Sequence, residues 1–498
     1  MKTPLLTIAA LVAVALAHAA DRPNVLFFAV DDLRPELAAY GHSHIKSPNL
    51  DRIAKSGMVF NHAYCQQAVC SPTRSSLMTG TRPDTTKVWD LETHFRTALP
   101  DVITLGQHFK NNGYFVQGMG KIYHGGFDDP RTWSVPWQGP RAPMYARPEN
   151  VALTERKIAD AAPKAAAKKA AKKAAKGPRG PAFESADVPD NTYSDGKVAD
   201  LAVSTLREIS RKREPFFLAV GFVKPHLPFV SPKKYWDLYD PAKIALAPNK
   251  FRPKDAPDYA IQAGGELRSY HGIPTESIPD PLARELKHGY YAAISYMDAQ
   301  VGKVLDELER LGLREKTIIV LWGDHGWKLG EHDAWCKHSN CENDTNAPLL
   351  LAAPGMKHRG VRTNALVEFV DIYPTLCDLA GLPLPSHLEG TSFKPVLENP
   401  KRSWKPAAFS QYPRNNSGES LMGYSMRTDR YRFTVWVGRR DHSKVDAIEL
   451  YDHQVDPQEN TNLARKPEHK ALVDQLMIQW RAGWRGAVPG GASAVSAL

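Results

Sequence analysis

Short apolar runs along the chain predict buried β-strands, and polar residues follow them directly. The runs from Asn24 to Val30 and from Thr317 to Trp322 end in Asp31-Asp32 and Gly323-Asp324-His325, and Phe216 to Val220 is a third run. Continuous apolar character is typical of a strand covered on both faces. Because ligands of open α/β sheets bind at the carboxyl ends of strands, the acids after the first two runs predict a site there.

A helical period runs from Leu282 to Leu311. Apolar residues recur there at every third or fourth position, and Gly312 stands where a C-terminal cap is expected. A shorter helix is predicted from Asp371 to Ala380. Strands that alternate with helices predict an α/β sandwich.

The pattern changes after about Pro400. Apolar residues alternate with polar ones from Tyr424 to Val437, which is typical of β-strands, and a helix is predicted near Lys470 to Trp484. We therefore expect a large domain over residues 21–400 and a smaller C-terminal subdomain with an antiparallel sheet over residues 401–498.

The N-terminus predicts export. Lys2, the apolar run from Leu5 to Leu16 and Ala17-His18-Ala19 have the pattern of a signal peptide over residues 1–20. The run is too short to span a bilayer comfortably, and no later apolar stretch approaches about 18 residues. We expect an exported protein, periplasmic or secreted, without membrane insertion. An uncleaved membrane anchor is the alternative.

The net charge of +10 is concentrated in one segment, residues 161–181, which is almost all Ala and Lys before Gly-Pro-Arg-Gly-Pro. Seven basic residues lie in it, so the rest of the chain carries a net charge of only +3: Lys164, Lys168, Lys169, Lys172, Lys173, Lys176 and Arg179. This balance gives no reason to expect nucleic acid as a partner. We interpret the segment as a solvated insertion loop, and an arm that attracts a polyanion is the alternative.

Five cysteines are present, and an odd count in an exported protein leaves at least one of them unpaired. Cys336 and Cys341 could form a disulfide, which the sequence alone does not establish. Cys70 differs from the others because it begins the stretch Cys70-Ser71-Pro72-Thr73-Arg74, which continues to Thr79-Gly80. A buried structural cysteine is the alternative reading of Cys70.

This stretch resembles the signature of the sulfatase family, in which a maturation enzyme oxidises the cysteine to formylglycine. The resemblance implies a hydrated aldehyde as nucleophile. One hydroxyl of the gem-diol attacks sulfur, and the second then expels sulfate as the aldehyde re-forms, so one difficult step becomes two easier ones. A serine at this position would lack the second hydroxyl.

The acids at the strand ends predict a metal site. Asp31, Asp32, Asp324 and His325 can converge there, and oxygen-rich ligation favours Ca²⁺ or Mg²⁺ over zinc. The resemblance implies one Ca²⁺ ion, with residue 70 as a further ligand. For a single aspartate, a helix N-cap is the alternative.

The resemblance also implies roles for basic residues. Gly120-Lys121-Ile122-Tyr123-His124 is similar to a family element, in which Lys121 would bind sulfate and His124 would act as base in the second step. Lys224-Pro225-His226 is similar to another, in which His226, with Lys337, would bind sulfate and assist the leaving oxygen. Arg74 would hold the diol by charge-assisted hydrogen bonds.

Further segments resemble the iduronate-2-sulfatase branch of the family, among them Val30 to Pro35, Gln66 to Cys70, Arg82 to Thr86 and Asp324 to Trp327. The resemblance covers most of the chain from Pro23 to about Asn462 and omits the Ala/Lys-rich segment. It implies an alkaline-phosphatase-like α/β/α sandwich with a large mixed sheet, in which residues 21–400 form the catalytic domain.

The implied activity is removal of a sulfate ester, namely exo-acting 2-O-desulfation of a sulfated uronic acid. The implied partners are a sulfated oligo- or polysaccharide substrate and a formylglycine-generating enzyme. Three alternatives stay open. They are a sulfatase for another sulfated polysaccharide, a phosphonate or phosphodiester hydrolase of the same superfamily, and a binding protein for sulfated glycans that is never oxidised at Cys70.

Overall fold

The computed structural model describes residues 22–155, 179–262 and 265–490. The predicted signal peptide and most of the Ala/Lys-rich segment lie outside these ranges. Within the described ranges, no helix combines the length and the apolar character needed to cross a membrane.

A seven-stranded mixed sheet forms the centre of the molecule, in the order β10-β2-β9-β8-β1-β6-β4. Neighbouring strands pair in parallel except at β9, which runs antiparallel to both β8 and β2. Two short parallel pairs, β3 with β11 and β5 with β7, lie outside it. The strands of these sheets are β1 Asn24–Val30, β2 Met58–Phe60, β3 Ala63–Tyr64, β4 Phe115–Gly120, β5 Phe183–Ala186, β6 Phe216–Phe222, β7 Phe229–Pro232, β8 Thr317–Gly323, β9 Leu349–Ala352, β10 Val361–Thr363 and β11 Val367–Glu368.

Strand β1 is apolar on both faces because helices cover both sides of the sheet. Leu26, Phe28 and Val30 belong to one buried cluster, and the alternate residues of the strand belong to another. The helices are α1 Pro48–Ser56, α2 Cys70–Thr79, α3 Pro83–Thr86, α4 Leu105–Asn111, α5 Ser194–Ile209, α6 Lys233–Trp236, α7 Asp280–Arg310, α8 Glu342–Thr345, α9 Ile372–Leu379, α10 Lys394–Glu398 and α11 Lys470–Gly486. The predicted α/β/α sandwich is therefore confirmed.

The long predicted helix is α7, with its apolar stripe in the same cluster as α5 and one face of the sheet. Gly312 follows it with a φ of 68°, the left-handed conformation of a C-terminal cap. The predicted helix from Asp371 is α9, which begins at Ile372 after a 3₁₀ turn.

The C-terminal part forms a four-stranded antiparallel meander of β12 Ala408–Asn416, β13 Glu419–Arg427, β14 Tyr431–Gly438 and β15 Val445–Asp452. The segment predicted as one alternating run, Tyr424 to Val437, spans two of these strands, because the chain reverses between Thr428 and Tyr431. Helix α11 packs against this sheet through Leu476 and its neighbours.

Candidate active site

The sequence-predicted site residues lie at one edge of the main sheet. Strands β8, β1, β6 and β4 are consecutive neighbours and parallel, so their carboxyl ends meet there. Asp31 and Asp32 follow β1, Asp324 and His325 follow β8, Lys121 follows β4, and His226 lies shortly after β6. This is the position at which open α/β sheets bind their ligands.

Two local backbone features direct side chains toward this site. Asp32 adopts a left-handed φ of 57°, which ends the alternation of strand β1 and is uncommon for a residue with a side chain. Cys70 is the first residue of α2, so its side chain lies at the positive end of a helix. All five cysteines are buried, and each has a free thiol.

The thiol of Cys70 lies within a group of atoms that could ligate a metal ion. Its Sγ is 3.2 Å from Asp31 Oδ1 and 3.4 Å from His325 Nε2. His325 Nε2 is in turn 3.5 Å from Asp32 Oδ1 and 3.5 Å from Asp324 Oδ1. Asp31, Asp32, Cys70 and His325 each offer one ligand atom within 4.8 Å of the others.

These buried acids need positive partners. Burial, the largest cause, raises the pKa of Asp32 to about 8, with Glu266 and Asp324 acting in the same direction and Lys337 opposing them. Burial also acts to raise the pKa of Asp324, but His325 and Arg74 hold it below its usual range. A carboxylate-rich group of this kind fits a hard dication such as Ca²⁺ or Mg²⁺, which would relieve the repulsion between the acids.

Arg74 is fully buried below this group. Its Nε donates to Asp324 Oδ2 at 3.0 Å, its Nη2 forms an ion pair with the same oxygen at 2.9 Å, and its Nη1 donates to the carbonyl oxygen of Ile122 at 3.1 Å. The guanidinium therefore fixes Asp324 and the chain beyond β4 relative to α2, on which Arg74 stands.

Lys121 enters the site from the end of β4. Its ammonium contacts the carboxylate of Asp31 and lies 4.0 Å from Cys70 Sγ. Gly221 makes this approach possible, because a side chain there would place its Cβ 2.3 Å from the backbone of Lys121. Burial lowers the pKa of Lys121 to about 8.

Lys337 and His226 lie beside Asp32 on the other side. Lys337 Nζ donates to Asp32 Oδ1 at 2.9 Å and to Glu266 Oε2 at 2.7 Å. His226 Nε2 is 3.3 Å from Glu266 Oε1 and 3.9 Å from Asp32 Oδ2, and its Nδ1 is 2.6 Å from the carbonyl oxygen of Leu227.

The protonation of His226 is set by opposing effects. Burial, followed by Lys337 and Lys121, lowers its pKa to about 3, while Glu266 acts to raise it. Both ring nitrogens nevertheless face oxygen acceptors, an arrangement that only the imidazolium satisfies fully. An anion bound among these cations would favour the proton on His226.

His124 lies on the wall of the same cavity, with Nδ1 buried and without a hydrogen-bond partner among the described residues. Burial lowers its pKa to about 3, and Lys121 and Arg74 act in the same direction. A neutral imidazole of this kind can accept a proton. The cavity has a volume of about 1100 Å³ and is also lined by Cys70, Lys121, His226 and Lys337.

Sequence reasoning missed two residues of this cavity. Glu266 contacts Lys337 and His226, and it lies in an irregular segment without a motif. Arg179 lies 3.4 Å from Glu266 Oε1, although its sequence context grouped it with the Ala/Lys-rich segment. The sequence signal for each of them was weak: a single charged residue in a segment without a predicted helix or strand.

The arrangement combines a cysteine at a helix start, carboxylates that could hold a metal ion, and lysines and histidines around an open cavity. Such a site suits attack on a tetrahedral anionic ester. The cations neutralise charge on the ester oxygens, and histidines can move protons.

Comparison with known proteins agrees with this chemistry. The family model described as "Sulfatase" matches residues 23–382, and that described as "N-sulphoglucosamine sulphohydrolase, C-terminal" matches residues 330–482. Iduronate 2-sulfatase of Mus musculus is 34% identical over 533 residues, covering 92% of this chain and 94% of the relative. The human iduronate 2-sulfatase is 34% identical over 539 residues, with the same coverage.

A solved structure described as a 2-O GAG sulfatase is similar to this chain, with a TM-score of 0.63 and 23% identity. The similarity covers 93% of this chain and 94% of that one. At this identity it supports the fold alone, which is the alkaline-phosphatase-like sandwich expected from the sequence.

Proposed function

The chain belongs to the sulfatase family and is a sulfuric ester hydrolase, and from this premise we propose that it removes 2-O-sulfate from a uronic acid at the end of a glycan chain. The observation that carries the proposal is the convergence of Cys70 with the Asp31, Asp32 and His325 ligand group. Asp31 and Asp32 follow β1, His325 follows β8 and Cys70 begins α2, and Cys70 lines a cavity large enough for a sugar.

The nucleophile is formylglycine made from Cys70 by a formylglycine-generating enzyme. Its gem-diol supplies one hydroxyl for attack on sulfur and a second for release of sulfate by elimination. Unmodified Cys70 is a poor nucleophile at neutral pH, because burial raises the pKa of its thiol well above the usual range. The start of α2 directs its positive end at the negative charge that develops at this position.

Asp31, Asp32, Asp324 and His325, together with residue 70, would hold one Ca²⁺ ion. When bound, the ion would stabilise negative charge on the nucleophile and on a sulfate oxygen. Arg74 keeps Asp324 in position through one hydrogen bond and one ion-pair contact, so the ligand group is already assembled by the protein.

Lys121 and Lys337 bind the sulfate group from two sides, since their ammonium groups approach Cys70 and Asp32 from β4 and from the loop after β8. In the present structure both lysines pair with the ligand carboxylates, which a bound dication would take over. Their charges then become available to the sulfate oxygens.

His226 donates a proton to the leaving sugar oxygen, and His124 accepts a proton from the diol. The low pKa of His124 keeps it neutral and able to accept. His226 gains its proton when the sulfate ester adds negative charge beside it, and its two acceptor contacts hold that protonated form. An alcohol leaves poorly as an alkoxide, so this proton matters for sugar substrates.

The substrate assignment draws on the relatives named iduronate 2-sulfatase, which this chain matches over 92% of its length. The site adjoins a cavity of about 1100 Å³, which is large enough to take the terminal residue of a glycan chain. Export to the periplasm or the medium, predicted from residues 1–20, would bring the protein to such a polymer.

The test is a regioisomer panel. The protein, co-expressed with a formylglycine-generating enzyme and supplied with Ca²⁺, is given uronate disaccharides sulfated at different positions, other sulfated sugars and a phosphonate monoester. We expect sulfate release from the terminal 2-O-sulfated uronate and none from Cys70→Ala. Sulfate release from another sulfated sugar alone would change the substrate assigned to the protein. A strong preference for the phosphorus ester would overturn the proposal.

A further inference from the structure

We propose that Arg179 binds the carboxylate of the substrate sugar and thereby sets a preference for sulfated uronic acids over neutral sulfated sugars. The inference rests on the proposed function and adds to it a residue that recognises the acidic sugar. Neither the motifs of the sequence nor the reaction requires Arg179.

Arg179 lines the cavity that also contains Cys70, Lys121, His226 and Lys337. Its side chain is 18% exposed, so it is neither a core residue nor a freely solvated one. A substrate whose sulfate reaches Lys121 and Lys337 would therefore have the rest of its sugar ring within this lined space.

The guanidinium of Arg179 is held in place on two sides. Its Cζ stacks 4.8 Å from the centre of the Tyr270 ring, and its Nη1 contacts Glu266 Oε1 at 3.4 Å. The backbone is anchored next to it, since the amide of His271 donates to the carbonyl oxygen of Gly180 at 3.0 Å. A preorganised guanidinium loses little entropy when it binds a carboxylate.

Arg179 also differs from the other cations of the cavity in its partners. Lys121 contacts Asp31, and Lys337 is shared between Asp32 and Glu266. The contact of Arg179 with Glu266 is long, and that carboxylate is already shared with Lys337 and His226. Arg179 therefore retains donors for a second anionic group.

The spacing suits two anionic groups on one sugar. Glu266 lies between Lys337 and Arg179 and contacts one with each carboxylate oxygen, at 2.7 and 3.4 Å. The ammonium of Lys337 and the guanidinium of Arg179 are thus neighbours on either side of one carboxylate, so each cation can meet a different anionic group of the same sugar.

Arg141, on another part of the same wall, is a weaker candidate. Its side chain is exposed, and its carbonyl oxygen, not its guanidinium, accepts a hydrogen bond from Lys197 at 2.8 Å. Among the described residues, no ring or carboxylate fixes its guanidinium as Tyr270 and Glu266 fix that of Arg179.

The test compares two substrates that differ only in the carboxylate: a terminal 2-O-sulfated uronate disaccharide and its carboxyl-reduced counterpart. Loss of a charge-assisted hydrogen-bond pair in Arg179→Ala should lower kcat/KM for the uronate by about 10- to 100-fold. The rate on the reduced substrate should stay close to that of the wild type, and Arg179→Lys should recover only part of the loss.

Arg213→Ala is the matched control, because Arg213 is exposed before strand β6, at the end opposite the site. Equal losses on both substrates in Arg179→Ala, or a wild type that does not distinguish them, would overturn this inference and leave the sulfatase assignment intact. If oxidised wild-type protein cleaves neither substrate, the proposed uronate function fails, and the inference fails with it.

Discussion

Replacement of His226 by alanine should affect sugar sulfates far more than aryl sulfates. His226 lines the substrate cavity, and its imidazolium would be held between the carbonyl oxygen of Leu227 at 2.6 Å and Glu266 at 3.3 Å. These contacts hold the protonated ring on the wall of the cavity, outside the group formed by Asp31, Asp32, Cys70 and His325. We therefore assign it to the leaving oxygen.

The size of the effect follows from the leaving group. General acid catalysis by a positioned histidine raises the rate by about 10²- to 10⁴-fold. A sugar alcohol depends on this protonation fully, because it is a poor leaving group as the unprotonated alkoxide. A nitrophenolate leaves without protonation, so the same substitution should lower its rate only through weaker sulfate binding. Burial and two lysines lower the pKa of His226 in the free protein, so bound substrate must supply the charge that protonates it.

The assay measures kcat/KM for a 2-O-sulfated uronate disaccharide and for a nitrophenyl sulfate with wild type and His226→Ala. His358→Ala serves as the control, since His358 is exposed in the turn before β10. We expect the ratio of the two rate constants to shift by about 10²-fold or more in His226→Ala alone. Equal losses on both substrates would refute the assignment of His226 as the acid.

Three further predictions concern the nucleophile, the metal and the fold. Cys70→Ser should accept one sulfuryl group from substrate and then stop, because it lacks the second hydroxyl, and intact-protein mass spectrometry should detect the stalled adduct; continued turnover would contradict the elimination step. Ca²⁺ added at 100 times its Kd should stabilise the folded protein by about 2.7 kcal/mol and so raise the Tm. Asp31→Asn should abolish most of this rise in Tm, and an equal rise in that variant would argue against the site. Asp298→Ala should cost about 2–4 kcal/mol in urea unfolding, because the carboxylate accepts from Asn49 N at 3.0 Å and Leu50 N at 2.8 Å at the start of α1. Asp237→Ala is the control, because Asp237 is exposed. Equal free energies of unfolding for Asp298→Ala and Asp237→Ala would contradict the role given to Asp298.

The main sheet could be predicted from the sequence because its central strands are buried on both faces. The run from Asn24 to Val30 coincides with β1, and Thr317 to Trp322 misses only the last residue of β8. Helix α7 was predicted to within two residues, since a one-sided stripe over 31 residues leaves little ambiguity. The shorter edge strands carry too few residues for a periodic signal.

The candidate site could be predicted where a motif or a strand end marked it. Asp31, Asp32, Asp324 and His325 were found because parallel strands bring their carboxyl ends together. Glu266 and Arg179 were not found, since their proximity depends on how irregular connections fold back over the sheet. Sequence spacing carries no information on such contacts.

The most direct test of the central claim, that oxidised Cys70 turns over the sulfate ester of a uronic acid, is the amount of inorganic sulfate released per protein molecule from a terminal 2-O-sulfated uronate disaccharide. The fraction of Cys70 converted to formylglycine is quantified by mass spectrometry in each preparation. The account predicts many equivalents of sulfate, at a rate proportional to the oxidised fraction, and none from Cys70→Ala. Release at an undiminished rate by Cys70→Ala, or a rate independent of oxidation, would contradict it.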